Sequence, residues 1–296
     1  MASDTTRILM LHRVLDDAPA AFDLPSCYRM RGTALTEEEL IHVVEEAGRF
    51  LPLDAVERAL ARGEDPPAGS ILTFDDGYRE HLDRVAPLLA ERGITATFYI
   101  AAGLHGDGIR VAAVDAWYWL LDHAGERLAR VPLPGGKEYR GRIDTYEGKR
   151  AWVGGEPKAA LLSASSAQQV AMLGGLAAST GCALPADLAA RLYLRSSEWS
   201  GLVGLGMRVG AHSVSHPRLT QLDDDDLRAE VEGSIDAVRR LGEPVAFAYP
   251  DGAYDERVVI AVRHAAVSSS VTCDAGLVRR GGDCLRLPRV FVTPTG

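Results

Sequence analysis

Residues 73–78, with the sequence TFDDGY, directly follow the apolar pair Ile71-Leu72. The pattern predicts a buried strand that ends in a loop at two adjacent carboxylates, Asp75 and Asp76. Because side chains alternate faces along a strand, both can serve one site only if the chain bends there, and Gly77 permits that bend. A nearby cation would relieve the repulsion between the two carboxylates and give them separate roles, one as a ligand and one as a proton acceptor.

A second stretch, residues 212–217 with the sequence HSVSHP, places two imidazoles four residues apart. In one helical turn His212 and His216 would share a face. With one carboxylate they form a three-ligand site for Zn²⁺ or a similar divalent metal, with a position open to water, which is typical of a catalytic site. Either motif alone is weak evidence, since an Asp-Asp pair is usually a solvated turn and a lone His-x-x-x-His is usually helix surface.

Composition restricts the class of protein. A chain of 296 residues has the length of a single α/β barrel, and 47% apolar with 25% charged residues is ordinary for a globular protein. A net charge of −9 without a long basic run disfavours nucleic acid and anionic membranes as partners. The four cysteines are widely spaced without a CxxC pair, so reduced thiols are expected rather than a structural zinc site.

The N-terminal sequence lacks a basic segment followed by an apolar one, and no apolar run approaches the ~18 residues of a membrane span. We therefore expect a cytoplasmic protein without a membrane span. A small intracellular substrate is accordingly favoured over a cell-wall polymer.

Strands alternate with helices along most of the chain, which predicts a parallel α/β barrel with functional groups at the C-terminal strand ends. The predicted strands are 8–11, 70–74, 94–100, 207–211, 245–249, 267–272 and 285–292. Helices are predicted after a capping box at Thr36, and at 53–62, 82–92, 223–241 and 255–265, with a loop at 16–31.

Residues from about 101 to 204 interrupt this alternation. Helices are predicted at 115–121 and 159–178, with a hairpin or loop at 133–155. We interpret the region as a mostly helical insertion within a single domain that spans residues 1–296.

The order TFDDGY, then far downstream HSVSHP, resembles the polysaccharide deacetylase family, the NodB-homology proteins of carbohydrate esterase family four. Residues 11–14 (LHRV) and 247–254 (FAYPDGAY) are also similar to family segments. The resemblance implies a distorted parallel (β/α) barrel of the NodB type. It also implies metal-dependent hydrolysis of the acetamide of an N-acetylated amino sugar, such as a small glycoside, a sugar nucleotide or a biosynthetic intermediate.

The family pattern assigns metal binding to Asp76, His212 and His216, and makes Asp75 the general base. The cofactor it implies is one divalent ion, with zinc expected and cobalt, nickel or iron left open. A backbone N–H between Tyr249 and Gly252 would stabilise the oxyanion together with the metal.

The sequence departs from the family at two places. Many members carry a histidine in a late Leu-x-His motif, but residues 285–290 (LRLPRV) contain none. Our candidate general acid is therefore His12, the alternative being a His12 hydrogen-bonded at the barrel rim without a catalytic role. The family arginine motif is also altered, and Arg289 is our candidate for the group that orients Asp75.

Further candidates for substrate or oxyanion binding are Tyr78, Trp117, Tyr249, Pro250, Asp251, Gly252 and Arg289. Trp117 would stack on a sugar ring or pack within the inserted helix. Two other functions stay open: hydrolysis of a non-sugar amide, as in deformylases or ring-amide hydrolases, and sugar binding by an inactive homologue. The sequence leaves the oligomeric state open.

Overall fold

The architecture is taken from a computed structural model, which describes residues 5–108 and 110–294. Four of the N-terminal residues used above to argue against a leader lie outside the described part. Within these ranges the strands are β1 (Thr6–Leu11), β2 (Arg13–Val14), β3 (Ala34–Leu35), β4 (Gly69–Phe74), β5 (Ala96–Ile100), β6 (Leu128–Pro132), β7 (Glu138–Arg142), β8 (Arg208–Ala211), β9 (Ala246–Ala248), β10 (Ser269–Ala275) and β11 (Leu287–Phe291).

The helices of the described residues are α1 (Cys27–Arg31), α2 (Glu37–Ala47), α3 (Leu53–Ala61), α4 (Ala86–Glu91), α5 (Ala113–Asp122), α6 (Tyr146–Gly154), α7 (Glu156–Ser163), α8 (Ser166–Thr180), α9 (Leu188–Leu192), α10 (Trp199–Gly204), α11 (Asp224–Arg239) and α12 (Glu256–His264). A π-helical turn, His81–Val85, leads into α4. No helix in this part of the chain has the length and apolar character that a membrane span requires.

The described strands form a closed parallel barrel in the order β1-β11-β10-β9-β8-β5-β4, with helices around it, which confirms the predicted NodB-type (β/α) barrel. The register pairs Leu11 with Phe74 and Ile100 with Ala211. These pairs bring the C-terminal ends of β1, β4, β5 and β8 to one rim, so the residues that follow them meet there.

Alternation along the strands decides which side chains enter the barrel. Leu72 and Phe74 pack outward against the surrounding helices, whereas Ile71 belongs to the cluster that fills the interior. Continuing the period of two, Asp75 at the end of β4 points inward like Ile71. Gly210 fits the same pattern, because a Cβ there would lie 2.5 Å from the Tyr99 ring that fills the interior.

The inserted segment, residues 101–204, joins β5 to β8 although these strands are neighbours in the barrel. It contains α5 to α10 and the antiparallel β6–β7 hairpin, and it has a hydrophobic cluster around Trp117, Trp152 and Leu176. That the segment is an insertion within a single domain stays a prediction.

Several local predictions were wrong. The predicted loop at 16–31 ends in helix α1, where Ser26 accepts a hydrogen bond from the Arg29 N–H, an N-cap that follows Pro25. The predicted helix 159–178 is two helices, α7 and α8, separated where Ser165 begins a new capping box. Within 133–155 the predicted hairpin is confirmed as β6–β7, which ends at Arg142, but helix α6 follows it where no helix was predicted.

Candidate active site

The two adjacent aspartates reach one site because the chain turns sharply between them. The Asp75 N–H still donates to the Leu11 carbonyl at 3.0 Å, as in a strand. Asp76 then adopts φ of +80° and Gly77 φ of +78°, both in the left-handed region. The bend predicted at Gly77 therefore begins one residue earlier, at Asp76 itself.

His212 and His216 do not share a helical face, so that prediction was wrong. They lie in an irregular loop in which Ser213 and His216 have φ values of +61° and +58°. The Ser213 hydroxyl accepts a hydrogen bond from the His216 N–H at 3.0 Å. A helix is disfavoured because His216 precedes Pro217, whose ring crowds a helical residue before it.

A carboxylate outside the site fixes this histidine loop. Glu230, on α11, accepts hydrogen bonds from the N–H groups of Val214 and Ser215, both at 2.8 Å, and from the Ser215 hydroxyl at 2.5 Å. These contacts satisfy the backbone donors that the turn leaves without a partner in secondary structure. The position of the second imidazole therefore depends on a helix packed outside the barrel.

The three expected metal ligands converge. Asp76 Oδ1 lies 3.5 Å from His212 Nε2 and 3.4 Å from His216 Nε2, and the candidate ligand atoms all lie within 4.8 Å of one another. Ligands about 2.1 Å from a tetrahedral zinc ion are separated by about 3.4 Å, so two of the separations match that geometry. The donor set therefore fits a divalent ion of the zinc type.

A hydrogen bond fixes which nitrogen of His212 is available to a ligand. His212 Nδ1 lies 2.7 Å from the carbonyl oxygen of Ala248, so Nδ1 carries the hydrogen and donates it. Burial, with the nearby His216, lowers the pKa of His212 to about 3. Nε2 consequently presents a free lone pair toward Asp76 at neutral pH.

Asp75 is held as a carboxylate by Arg289 of β11. The guanidinium donates to Oδ1 at 2.8 Å and to Oδ2 at 2.7 Å, and both side chains are buried. Burial by itself would raise the pKa of Asp75, but the charge and hydrogen bonds of Arg289 outweigh it and hold that pKa below its ordinary value. Arg289 also donates to the Thr272 carbonyl and the Thr73 hydroxyl.

The pKa of Asp76 is shifted in the opposite direction to that of Asp75. Burial, together with the negative charges of Asp115 and Asp75, raises the pKa of Asp76 to about 7, although His216 acts to lower it. A bound cation would reverse this shift, because positive charge favours the ionised carboxylate. The two neighbouring aspartates are thus differentiated by what faces them, Arg289 for one and the two imidazoles for the other.

His12 follows β1 and lines the same cavity, of about 420 Å³, as the two aspartates and two histidines. Its Nδ1 is buried without a hydrogen-bond partner among the described residues, and its ring meets Phe291 edge to face. Burial lowers the pKa of His12 to about 4, with Asp75 acting in the opposite direction. His12 is therefore neutral at neutral pH in the free protein.

The segment from Tyr249 to Gly252 offers one backbone donor to a ligand. The Tyr249 N–H donates to the Val271 carbonyl, the Gly252 N–H donates to the Tyr249 carbonyl, and Pro250 has no N–H. Within the described residues the Asp251 N–H has no protein acceptor. Of the four predicted oxyanion residues, only Asp251 thus keeps an available N–H, and Tyr249 is further engaged through its hydroxyl with the Leu285 carbonyl.

Three other sequence candidates have different surroundings. Tyr78 lines the cavity and its hydroxyl donates to Asp115 Oδ1 at 2.9 Å. Trp117 is fully buried, and its Nε1 donates to the Trp152 carbonyl, so it packs in the inserted segment instead of meeting a sugar. Arg289 is 1% exposed and directed at Asp75, which agrees with an orienting position and not with substrate contact.

Sequence reasoning missed residues of the cavity wall. Asp115 of α5 accepts hydrogen bonds from the hydroxyls of Tyr28, Tyr78 and Tyr193. Lys158 of α7 and Tyr118 of α5 also line the cavity. The only sequence signal for Asp115 was a carboxylate inside the aromatic stretch 113–122, and nothing marked Lys158 within its alanine-rich helix.

Comparison with known proteins agrees with this geometry. A family model described as polysaccharide deacetylase matches residues 62–116 and 188–269, which contain both aspartates and both histidines. Residues 117–187, most of the inserted segment, lie outside the match. No curated protein matches the sequence.

Solved structures show the same fold at low identity. The chain is similar to the Streptococcus pyogenes deacetylase PplD in complex with acetate, at 18% identity and a TM-score of 0.58, over 98% of this chain and 93% of that one. It is also similar to the BpsB deacetylase domain from Bordetella bronchiseptica (16% identity, TM-score 0.57, 98% and 97% covered) and to IcaB from Ammonifex degensii (17%, 0.54, 98% and 93%). Motifs, family match and fold agree, and the resemblance of this chain to the polysaccharide deacetylase family is confirmed.

Proposed function

We propose that the protein is a metal-dependent de-N-acetylase that hydrolyses the acetamide of an N-acetylated amino sugar. The observation that carries the proposal is the convergence of Asp76, His212 and His216 on one point, with the ionised Asp75 on the same cavity. The family match supports de-N-acetylation as the reaction, and PplD, similar in fold, was solved with acetate, the product expected here.

Asp76, His212 and His216 would hold the divalent ion, which supplies Lewis acidity that lowers the pKa of water and polarises the amide carbonyl. Asp75 accepts the proton that water loses as its oxygen bonds to the acyl carbon. Its salt bridge with Arg289 keeps it ionised and fixes its orientation. The Asp251 N–H donates to the oxygen on which negative charge develops.

The sugar nitrogen needs a proton when the C–N bond breaks, and the products are acetate and a free amine. One proton is available, since the attacking water has transferred it to Asp75. His12 is neutral in the free protein, so it would act as the acid only after taking up a proton within the reaction cycle. An unchanged rate in His12→Gln would remove it from proton transfer.

The direct test is metal analysis of the purified protein, followed by acetate release from an N-acetylhexosamine glycoside. We expect about one divalent ion per chain, with zinc as the first candidate. His212→Ala should lose the ion and reduce kcat/KM more than about 100-fold, beyond the 10–100-fold typical of changes around the ligands. Metal binding with no acetate release from any amino-sugar amide would contradict the proposal.

The second candidate is a sugar-binding homologue without catalysis. The observation that favours it is the late segment 285–290, in which the family histidine is missing. This candidate predicts sugar binding without turnover. It is distinguished by equilibrium binding of the glycoside alongside the acetate assay.

A further inference from the structure

Three cations lie on one side of the active-site cavity. Arg31 is the last residue of α1, Lys158 belongs to α7, and Arg218 follows the histidine loop. All three line the cavity that contains the aspartates. The same three residues line a smaller adjoining cavity of about 180 Å³. Every charged residue that lines this side cavity within the described chain is a cation.

Lys158 is unusual because it is buried without a carboxylate in contact. The residue is 9% exposed, and its ammonium group donates to the Tyr118 hydroxyl and lies over that ring. No ion pair involves Lys158 among the residues that the structure describes. Burying a charge is costly unless it is paired, so an ammonium group in this position calls for an anionic partner.

The other two cations are also available to a ligand. Arg31 is exposed and makes no ion pair with the described residues. Arg218 donates a hydrogen bond to Asp251 through Nε at 3.2 Å, and its terminal guanidinium nitrogens donate none to the described residues. Burial and the neighbouring charge of Arg31 lower the pKa of Lys158 to about 8, which leaves it cationic at neutral pH.

Among the carboxylates of the main cavity, only Asp251 forms an ion pair with one of the three cations within the described chain. Asp75 is paired with Arg289, and Asp76 lies among the candidate metal ligands. Asp115 is engaged by tyrosine hydroxyls, and Asp251 is shared between Arg218 and the charge of His216. The acids of the main cavity are therefore already engaged by other groups, and none of them lines the side cavity.

We propose that this side cavity, lined by Arg31, Lys158 and Arg218, binds a phosphate group of the substrate, so that the preferred substrate is a phosphorylated N-acetyl amino sugar. Two guanidinium groups and one ammonium group suit phosphate, which accepts several charge-assisted hydrogen bonds at once. Because the same three cations also line the cavity that contains the candidate metal site, the phosphate and the acetamide belong to the same small molecule. This inference rests on the proposed deacetylation.

The test compares kcat/KM of the metal-loaded protein on N-acetylglucosamine 1-phosphate and on the neutral methyl glycoside. UDP-N-acetylglucosamine tests a phosphate diester, and N-acetylmuramic acid tests a carboxylate. We expect the better of the two phosphate compounds to exceed the neutral glycoside by about tenfold or more, the effect of one or more charge-assisted hydrogen bonds. Equal kcat/KM for the phosphorylated and neutral compounds, or a higher kcat/KM for N-acetylmuramic acid than for either phosphate compound, would overturn the inference.

Substitutions of the cavity residues test whether the side cavity causes the preference for a phosphorylated substrate. Arg31→Gln changes an exposed side chain and should lower the phosphate-to-neutral ratio about tenfold, with Lys158→Met acting in the same direction. Arg130→Gln removes one positive charge from exposed β6, outside this cavity, and should leave the ratio unchanged. An unaltered ratio in Arg31→Gln and Lys158→Met would overturn the assignment.

A binding measurement tests the phosphate site independently of the deacetylase activity. Calorimetry with N-acetylglucosamine 1-phosphate should show binding that weakens about tenfold in Arg31→Gln and is unchanged in Arg130→Gln. If this pattern holds while no compound yields acetate, the deacetylase proposal fails and the phosphate site stands. If acetate is released but the sugar phosphate binds no better than the methyl glycoside, the phosphate site fails and the deacetylase stands.

Discussion

The barrel rim and the inserted segment build the same cavity with different means. At the rim, charged groups meet one another directly: Asp75 with Arg289, and Asp76 with two imidazoles. In the inserted segment the cavity wall is aromatic, and among the described residues Lys158 donates a hydrogen bond only to the Tyr118 hydroxyl. The difference teaches that the candidate catalytic groups come from the strand ends and the loops that follow them. The inserted segment instead contributes Lys158, a cation that is available to an anionic ligand.

The largest expected effect separates the two aspartates of the rim. Asp75→Asn should retain the metal, because the ligands are unchanged, and should lose about 10²–10⁴-fold in kcat through loss of the base. Metal content and acetate release measure the two outcomes. Asp83→Asn, an exposed neighbour on the π-helical turn, is the matched control. Full activity of Asp75→Asn would contradict its role as the base.

Trp117→Ala tests whether packing in the inserted segment affects metal binding at the rim. The side chain is fully buried and bonded to the Trp152 carbonyl, so its removal should lower the free energy of unfolding by about 3–5 kcal/mol. Metal stoichiometry of the folded protein should stay the same. Trp119→Ala, at a partly exposed position, should cost less in chemical denaturation. Loss of metal in folded Trp117→Ala would show that the two regions are not independent.

The pH dependence of metal uptake sharpens the contrast between the two aspartates. The pKa of Asp76 is raised to about 7 in the metal-free protein, so below pH 7 this carboxyl binds a proton that the metal must displace. Burial would lower the pKa of His216, but the negative charge of Asp76 outweighs it and raises that pKa, so this second ligand also takes up a proton as the pH falls. Apparent metal affinity should therefore fall at least about tenfold per pH unit below 7, with one or more protons released on binding. Competition with a chelator between pH 5 and 8 measures it. A flat profile would contradict the raised pKa.

The smallest effect concerns the hydrogen bonds that hold Asp115 within the inserted segment. Tyr193→Phe removes a hydroxyl that donates to Asp115 and accepts from the Ala112 N–H, and should cost about 1 kcal/mol of unfolding free energy. Tyr146→Phe, 46% exposed on α6, is the control and should be neutral. A neutral Tyr193→Phe would mean that Asp115 is held adequately by Tyr28 and Tyr78.

The sequence was informative where the end of a predicted strand fixed the position of a side chain. The apolar pair Ile71-Leu72 and the alternation of strands with helices along the chain predicted strands at 70–74 and 207–211, and so placed Asp75 and His212 at their ends. Prediction from the sequence failed where the conformation of a loop depended on residues far away in the chain. The histidine loop was predicted as a helical turn because spacing alone does not reveal Glu230, and the wall cations come from 31, 158 and 218, which no local pattern connects.

Glu230 has a consequence for how the site is assembled. Its carboxylate holds the loop between the two imidazoles through three hydrogen bonds while remaining remote from the ion itself. The imidazole of His216 is thereby preorganised, so metal binding would cost little conformational entropy for ordering this loop. Substitution of Glu230, a half-buried residue of α11 that contacts this loop, would then weaken binding of a metal at the candidate site without changing a ligand. The helix α11 would thus influence from a distance how long an ion stays bound.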